Sequence, residues 1–329
     1  IETGYESPPA TFFNGIQAFP PGCWGEVSLE DLRMPKSQPF WFPEEVATVT
    51  GTLRREDVME RTRTLFEDAV RLRRIARALS GAASGRRIIV VHGGGREVDT
   101  EMARLGIQKR AVEGLRITDA ETLEVVLGVL AGRVNTRLVA AIGAAGGRAV
   151  GLTGADAGLV RVGRTRRYRA TDGSQVDLGF VGMPIGSEPA PLLDELCRRG
   201  YVPVVASVGS DARGQLYNVN ADTLASHLAT RLRAECLIVA GATAGVLDAT
   251  GHTMPELDDS TLVKLIREGQ ASAGMIAKLL ACRAARQGGV AHVAIVDGRR
   301  PAAFNLSRIN RTGSTTIVAD AGGRRSTAQ

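Results

Sequence analysis

From about Glu45 onward, short apolar runs alternate with longer stretches in which apolar residues recur every three or four positions. The short runs have the length of buried strands, and the longer stretches have helical periodicity. The predicted strands cover residues 46–49, 88–91, 149–152, 202–206, 236–240, 293–296 and 315–318. The predicted helices cover residues 57–79, 98–105, 123–145, 190–199, 221–232, 259–268 and 274–286. This alternation predicts an α/β protein with a mostly parallel sheet covered by helices on both faces.

The first 45 residues follow a different pattern. They contain seven of the 13 prolines and both tryptophans, Trp24 and Trp41, without any sustained periodicity. We therefore predict an irregular proline-rich extension over residues 1–45. A hairpin tip is predicted at Asp172-Gly173.

Composition and charge narrow the functional classes. The net charge of +6 comes almost entirely from arginine, and the densest basic cluster, residues 161–169, has no helical register or interleaved aromatics. We therefore expect no nucleic-acid partner. No run approaches 18 consecutive apolar residues, so we expect no membrane span. The four cysteines and four histidines form neither a CxxC motif nor a metal-ligand pattern, which favours a reducing compartment and predicts no metal site.

Three consecutive glycines are the most informative local feature. The segment IIVVHGGGREVD, residues 88–99, places Gly93, Gly94 and Gly95 between a predicted strand and a predicted helix. Such a turn lets backbone N–H groups approach an anionic ligand, and a tight strand-to-helix turn with no ligand is the alternative. Neither a P-loop nor a GxGxxG motif is present.

An arginine precedes the next helix. Arg116 lies just before Thr118-Asp119-Ala120-Glu121, where Thr118 is the predicted helix cap and Glu121 its capping-box partner. The guanidinium could bind a carboxylate through two hydrogen bonds, or it could form a surface ion pair.

Two further polar groups lie at predicted helix starts. A loop-to-helix junction contains Asn218, Asn220 and Asp222. Asn220 is a good helix cap there, and Asp222 could simply offset the helix dipole. Lys278 is predicted in the first turn of a later helix, where a bound phosphate would compensate its charge. An exposed, tolerated lysine is the alternative for Lys278.

Taken in order, these motifs resemble one known family. The series HGGG, GLRITD, VGLTGAD, VDLGFVG, GYVPVVASVG, GQLYNVNAD, GVLD, AGMIAKLLA, VDGR and GSTTI resembles the acetylglutamate kinases of the amino-acid kinase superfamily over residues 87–317. The resemblance implies a three-layer αβα sandwich with a mostly parallel central sheet. It also implies an acyl-amino-acid-binding half over residues 46–210 and a nucleotide-binding half over residues 211–329. ATP-dependent phosphorylation of N-acetyl-L-glutamate in arginine biosynthesis, by a cytoplasmic homo-oligomer, is the implied function.

The resemblance also implies residue roles. Gly94 and Gly95 would contact the substrate, Arg116 would hold its α-carboxylate and Asn218 would hydrogen-bond it. Lys278 would neutralise the transferring phosphoryl group, and Asp222 would orient the catalytic cations. The residues implied to line ATP are Ala242, Thr243, Gly245 and Leu247. Mg²⁺ is implied through ATP, without a dedicated set of protein ligands.

One motif of the family departs from its usual form. The first strand of these kinases ends in Lys-x-Gly-Gly, and the corresponding segment here, residues 47–51, reads ATVTG without a lysine. This departure leaves open a non-catalytic homologue that acts as a sensor or regulatory subunit by binding acetylglutamate or nucleotide. The kinase-like domain of an acetylglutamate synthase and a kinase for a related acyl amino acid, such as an aminoadipate derivative, are further alternatives.

Overall fold

The structure is a computed structural model that describes residues 23–24, 38–39, 72–113, 115–165, 168–169, 173–300 and 313–318. The chain divides into two compact units, Ile1–Glu67 and Asp68–Gln329. In the first unit, strands β1 (Cys23–Trp24) and β2 (Gln38–Pro39) pair antiparallel. The strand predicted at 46–49 and the first part of the helix predicted at 57–79 lie outside the described residues.

The second unit carries the remaining elements, numbered along the chain. The helices are α1 (residues 72–83), α2 (Gly95–Arg104), α3 (Ala120–Leu127), α4 (Asn135–Ala144), α5 (Pro191–Arg198), α6 (Ala221–Arg231), α7 (Asp259–Arg267) and α8 (Ala273–Gln287). The longer strands are β3 (Val90–His92), β6 (Ala149–Thr153), β11 (Val202–Ala206), β14 (Cys236–Gly241), β16 (His292–Asp297) and β17 (Ser314–Ile317). The shorter strands are β4 (Ala111–Val112), β5 (Leu115–Arg116), β7 (Val162–Arg164), β8 (Tyr168–Arg169), β9 (Gln175–Val176), β10 (Gly182–Pro184), β12 (Val208–Ser210), β13 (Leu216–Asn218) and β15 (Glu256–Leu257).

The two largest described sheets of this unit contain three and four strands. In the first, β11 lies between β3 and β6, and all three strands are parallel. In the second, the order is β14-β16-β17-β15, with β14 parallel to β16 and β17 antiparallel to it. The α/β class with a parallel sheet is therefore confirmed. In the described chain the longer strands fall into a three-stranded and a four-stranded sheet, with two-stranded pairs beside them, whereas the sequence predicted one central sheet.

The core explains why the strands are so apolar. Every residue of β11 is buried, because helices cover the first sheet on both faces. Val205 belongs to a buried cluster with Leu193 of α5 and Leu224 of α6. Val204 belongs to the cluster on the other face, which contains residues of α1 and α4. A second core surrounds β14 and β16 and is covered by α7 and α8.

The helical stretch predicted at 123–145 is continuous but not uniform. A π-helical segment, Gly128–Val134, connects α3 to α4. Over Ala120–Ala144 this stretch has a mean hydropathy of 1.6 in its most apolar window, 33% of which is buried. By length and composition it is the single helix in the described chain that could cross a membrane. This is weak evidence for a membrane span, because buried core helices pass the same test. Its residues Leu123 and Val126 are buried in the unit.

Local contacts correct two predicted helix starts. The cap of α3 is Asp119, whose carboxylate accepts a hydrogen bond from the Thr122 N–H at 2.9 Å, so the prediction of Thr118 as the cap is wrong. The Thr118 hydroxyl donates instead to the Arg116 carbonyl. Helix α8 begins at Ala273, which puts Lys278 in its second turn and not in the first.

Candidate active site

The glycine turn joins β3 directly to α2. His92 ends the strand, and Gly95 is the first residue of the helix. A Cβ added to Gly93 would lie 3.3 Å from the Ala221 Cβ, and one on Gly94 would lie 2.9 Å from a methyl group of Leu130. The turn is therefore packed tightly against α6 on one side and the π-helical segment on the other. A Cβ on Gly95 would meet nothing within 4 Å, so open space adjoins this residue.

The start of α6 carries the polar groups predicted there. Asn220 caps the helix, because its side-chain oxygen accepts from the Thr223 N–H at 2.9 Å. That prediction is confirmed. Asn218, at the end of β13, donates from Nδ2 to the Thr118 hydroxyl at 3.2 Å. Thr118 is fully buried, so this contact fixes the Asn218 amide at the edge of the cavity.

Asp222 and Lys278 form an ion pair. The Lys278 Nζ donates to both carboxylate oxygens of Asp222, at 2.9 and 3.1 Å. The two side chains are 22% and 21% exposed, so the pair is mostly shielded from water. Because Asp222 lies in the first turn of α6 and Lys278 in the second turn of α8, the pair connects two helices at the same cavity.

Arg116 is held by neighbouring groups of α2. Its guanidinium is 2.5 Å from an Asp99 carboxylate oxygen and also donates to the Gly95 carbonyl at 3.2 Å. The side chain is only 12% exposed, so the ion pair formed by Arg116 is not an ordinary surface pair. Burial would raise the pKa of Asp99, but hydrogen bonds from Lys109 and Arg116 outweigh it and lower that pKa below its usual value.

The stretch that follows β14 has a defined turn. The Thr243 hydroxyl donates to the Gly245 carbonyl at 2.7 Å. Gly245 has φ = +95°, and a Cβ there would lie 2.5 Å from the Thr315 hydroxyl oxygen, so only glycine fits. Leu247, at the end of this turn, is exposed.

One cavity of about 1830 Å³ brings most of these groups together. Its lining includes Gly94, Gly95, Arg116, Asn218, Asp222 and Lys278. Ala242, Thr243, Gly245 and Leu247 are not among the described lining residues, although a Cβ on the preceding Gly241 would lie 3.9 Å from the Lys278 side chain. The cavity continues between β3 and β14, and in the described part of the chain neither strand pairs with a further strand on that side.

The sequence did not predict the roles of three residues near the cavity. Asp99 holds Arg116, Thr118 holds Asn218, and Asn135 donates to His92. Asn135 had one available signal, since it is a polar residue within a long apolar helical stretch. Within the described residues, no group of three His, Cys, Asp or Glu side chains could hold a metal ion.

Comparison with known proteins identifies the family of the chain. The model of the amino acid kinase family matches residues 63–297. The acetylglutamate kinase of Zymomonas mobilis is 41% identical over 234 residues, which cover 70% of this chain and 77% of that protein. The acetylglutamate kinase of Sphingopyxis alaskensis is 39% identical over 263 residues, covering 79% of this chain and 84% of that protein. Residues 47–51, which carry no lysine, lie before the matched family region and outside the described residues.

Solved structures share the fold. A crystal structure from Streptococcus mutans UA159 superimposes with a TM-score of 0.60 and 27% identity, covering 72% of this chain and 88% of that one. An N-acetylglutamate synthase of Neisseria gonorrhoeae gives a TM-score of 0.65 at 22% identity, covering 76% of this chain and 56% of that one, and this likeness concerns the fold alone. The family match over most of the chain and relatives at about 40% identity establish that the chain belongs to the amino acid kinase family, in the branch of the acetylglutamate kinases.

Proposed function

We propose that this protein transfers the γ-phosphoryl group of ATP to the side-chain carboxylate of N-acetyl-L-glutamate, giving N-acetylglutamyl 5-phosphate in arginine biosynthesis. The observation that carries the proposal is the Asp222–Lys278 pair, which lines the same cavity as the glycine turn. The family membership supports it, because the relatives at about 40% identity are named acetylglutamate kinases.

The chemistry needs positioning and positive charge rather than a covalent nucleophile. The acceptor carboxylate is already a nucleophile at neutral pH, and phosphoryl transfer is accelerated by alignment and by neutralisation of charge. The Lys278 ammonium supplies that positive charge, and Asp222 holds it in place. The backbone N–H groups of Gly94 and Gly95 stabilise negative charge on the acceptor side.

Two side chains bind the rest of the acceptor. Arg116 takes the α-carboxylate, with its guanidinium oriented by Asp99 and the Gly95 carbonyl. Asn218, oriented by Thr118, hydrogen-bonds acetylglutamate. Both side chains line the cavity and are already fixed by neighbours, so little side-chain entropy is lost when the substrate binds.

The residues after β14 suit a nucleotide. Bound ATP with its Mg²⁺ supplies the activated phosphoryl group. The Gly245 turn exposes Leu247, which offers an apolar surface to a base, while Ala242 and Thr243 follow a glycine beside Lys278. Mg²⁺ would enter with the phosphates of ATP. In the described ranges no group of three His, Cys, Asp or Glu side chains could hold a metal ion.

The proposal also covers the two halves of the enzyme, its location and its oligomeric state. We place residues 46–210 in the acceptor-binding half and residues 211–329 in the nucleotide-binding half of a cytoplasmic homo-oligomer. The helical stretch Ala120–Ala144 supports self-association, because only a third of its most apolar window is buried within one chain. Light scattering coupled to size-exclusion chromatography measures the oligomeric state directly.

The activity is tested with the purified chain, Mg-ATP and N-acetyl-L-glutamate, trapping the acyl phosphate as a hydroxamate. N-acetyl-L-aminoadipate and unacetylated glutamate serve as matched acceptors of different length and charge. We expect turnover that is fastest with N-acetyl-L-glutamate. Saturable binding of acetylglutamate without turnover would overturn the kinase assignment in favour of a sensor, and faster turnover of the aminoadipate derivative would reassign the substrate.

A further inference from the structure

A buried polar network lies directly beneath the glycine turn. Asn135 Nδ2 is 3.0 Å from His92 Nε2, 2.8 Å from the Val204 carbonyl oxygen and 3.3 Å from the Leu152 carbonyl oxygen. His92 and Asn135 are 9% and 5% exposed, so water does not compete effectively for these contacts. The network connects all three strands of the first sheet, next to the carboxyl end of β3.

The contacts determine the protonation of His92. The amide nitrogen carries two hydrogens and accepts none, and it faces two carbonyl oxygens and the imidazole Nε2, so an N–H on Nε2 would point at a donor. Nε2 must therefore accept, which leaves the proton on Nδ1. That nitrogen is 3.0 Å from the carbonyl oxygen of Gly93, to which it donates.

Two local features of the fold allow the Asn135 side chain to occupy this position. The π-helical segment ends at Val134, so Asn135 begins α4 with a shifted orientation. A Cβ on Gly151 would lie 2.1 Å from Asn135 Oδ1, so glycine in β6 is required for the amide to lie there. π-Helical turns inside α-helices frequently occur at functional sites.

The His92 donor acts on the first peptide of the turn. Because a peptide group is planar and trans, fixing the Gly93 carbonyl toward His92 points the Gly94 N–H in the opposite direction. We propose that Asn135 and His92 are positioning residues, with His92 Nδ1 orienting the Gly93–Gly94 peptide so that the Gly94 N–H faces the acceptor carboxylate. This inference rests on the proposed kinase function.

The network requires neutral histidine. Protonation would put an N–H on Nε2 opposite the Asn135 N–H, and rotating the amide would turn its oxygen toward the Val204 and Leu152 carbonyl oxygens. Burial lowers the pKa of His92, although the Gly93 carbonyl and the Glu97 carboxylate act in the opposite direction. Glu97 is the charged group of the described chain that acts on His92; Asp222 and Lys278 line the same cavity.

Two substitutions of His92 separate the two ring nitrogens. In His92→Asn the amide N–H takes the place of Nδ1 and can still donate to the Gly93 carbonyl. In His92→Gln the amide reaches the position of Nε2, and the donor to Gly93 is lost. Misplacing a reacting group by about 1 Å can cost about 10²-fold in rate. We therefore expect kcat/KM for acetylglutamate to fall about 10²-fold in His92→Gln and less than about 5-fold in His92→Asn.

The measurements separate positioning from stability. The KM for ATP should stay within about twofold of wild type in both variants, since the network touches only the acceptor side. Arg231→Gln is the matched control, because it removes side-chain hydrogen bonds to the Leu159 and Pro189 carbonyls at the far end of α6. We expect Arg231→Gln to lower the melting temperature without lowering kcat/KM for acetylglutamate.

NMR of the histidine side chains tests the assignment independently of activity. The chain has four histidines, so ¹⁵N labelling resolves each ring. His92 should be a neutral Nδ1–H tautomer at pH 7. An Nε2–H tautomer, an imidazolium, or equal losses in His92→Asn and His92→Gln would each overturn the proposal. A wild-type protein without turnover would refute the kinase function. The role of His92 would then still be decided by two measurements, its tautomer and the binding of acetylglutamate to the two variants.

Discussion

Replacing Lys278 with methionine tests the centre of the proposed site. Methionine keeps the apolar stem of the side chain but removes the ammonium that Asp222 holds at 2.9 and 3.1 Å. Removing one preorganised charge from a transition state costs about 10²–10³-fold in kcat, or about 2.7–4 kcal/mol. We expect a loss of that size in the hydroxamate assay, with acetylglutamate still bound.

The accompanying loss of stability should be smaller than the kinetic effect. Exposed ion pairs contribute about 0–1 kcal/mol, while breaking a fully buried pair costs about 3–5 kcal/mol. This pair is about one-fifth exposed, and Asp222 remains in the first turn of α6, where the helix dipole favours a carboxylate. We therefore expect Lys278→Met to lower the free energy of unfolding by about 1–2 kcal/mol, which leaves the protein folded for the assay.

A second lysine provides the matched control. Lys264 lies on α7, is 70% exposed and approaches Glu268 only to 3.9 Å. Lys264→Met should therefore leave both kcat and stability at wild-type values. If Lys278→Met kept kcat within threefold of wild type, the assignment of Lys278 would be refuted. In the proposal Asp222 acts through Lys278, so Asp222→Asn should add little to the kinetic loss once Lys278 is methionine.

Three further predictions follow from the same contacts. Gly95→Ala should leave the melting temperature near wild type and weaken acetylglutamate binding in calorimetry, whereas Gly94→Ala should lower the melting temperature because its Cβ would lie 2.9 Å from a leucine methyl group. Arg116→Lys should raise the KM for acetylglutamate at least tenfold at constant KM for ATP, since a charged hydrogen bond contributes about 1.5–3 kcal/mol. Burial lowers the pKa of both His92 and His227, so the free energy of unfolding in urea should fall as the pH drops below 6.5, where the unfolded chain takes up protons first. Unchanged stability between pH 7.5 and 5.5 would contradict that burial.

The longer strands could be predicted from the sequence because burial on both faces requires an unbroken apolar run. Residues 202–206 were predicted with their observed bounds, and β11 is buried at every position. Most strands of two or three residues could not be predicted in this way; the exceptions are β3, predicted at 88–91, and the β8–β9 pair, which flanks the predicted hairpin tip. Pairs such as β4–β5 and β12–β13 are too short for a periodic pattern, and their pairing depends on tertiary contacts.

Helix starts were predicted less well where two caps compete. Both Thr118 with Glu121 and Asp119 with Thr122 satisfy the spacing of a helix cap. The structure uses Asp119 because Thr118 is committed elsewhere: its N–H donates to the Leu178 carbonyl, and its hydroxyl orients Asn218. A contact 60 residues away in the chain therefore decided the helix start, and local sequence carries no signal for it.

The side chains that contact ligands in the proposal were predicted by resemblance, but the groups that orient them were not. Asp99 is 17 residues from Arg116, and Asn135 is 43 residues from His92. Neither separation corresponds to a helical or strand repeat. These partners meet only after the helices have packed on the sheet, so only the structure identifies them.

The Asp222–Lys278 pair connects helix α6, which contacts the first sheet, with helix α8, which packs on the second sheet. The glycine turn follows β3 of the first sheet, and Asn218 ends β13 of the β12–β13 hairpin. Lys278 belongs to α8, which packs on the second sheet. Helix α6 contacts both β3 and β14, and its Asp222 carboxylate reaches Lys278. In the proposed site, the distance between the groups that bind the acceptor and Lys278 is therefore set by the packing of α6 against α8. Gly288 adjoins this packing, since a Cβ there would lie 2.4 Å from the Thr230 hydroxyl oxygen, and a larger residue at that position would alter the alignment of Lys278 without touching the site.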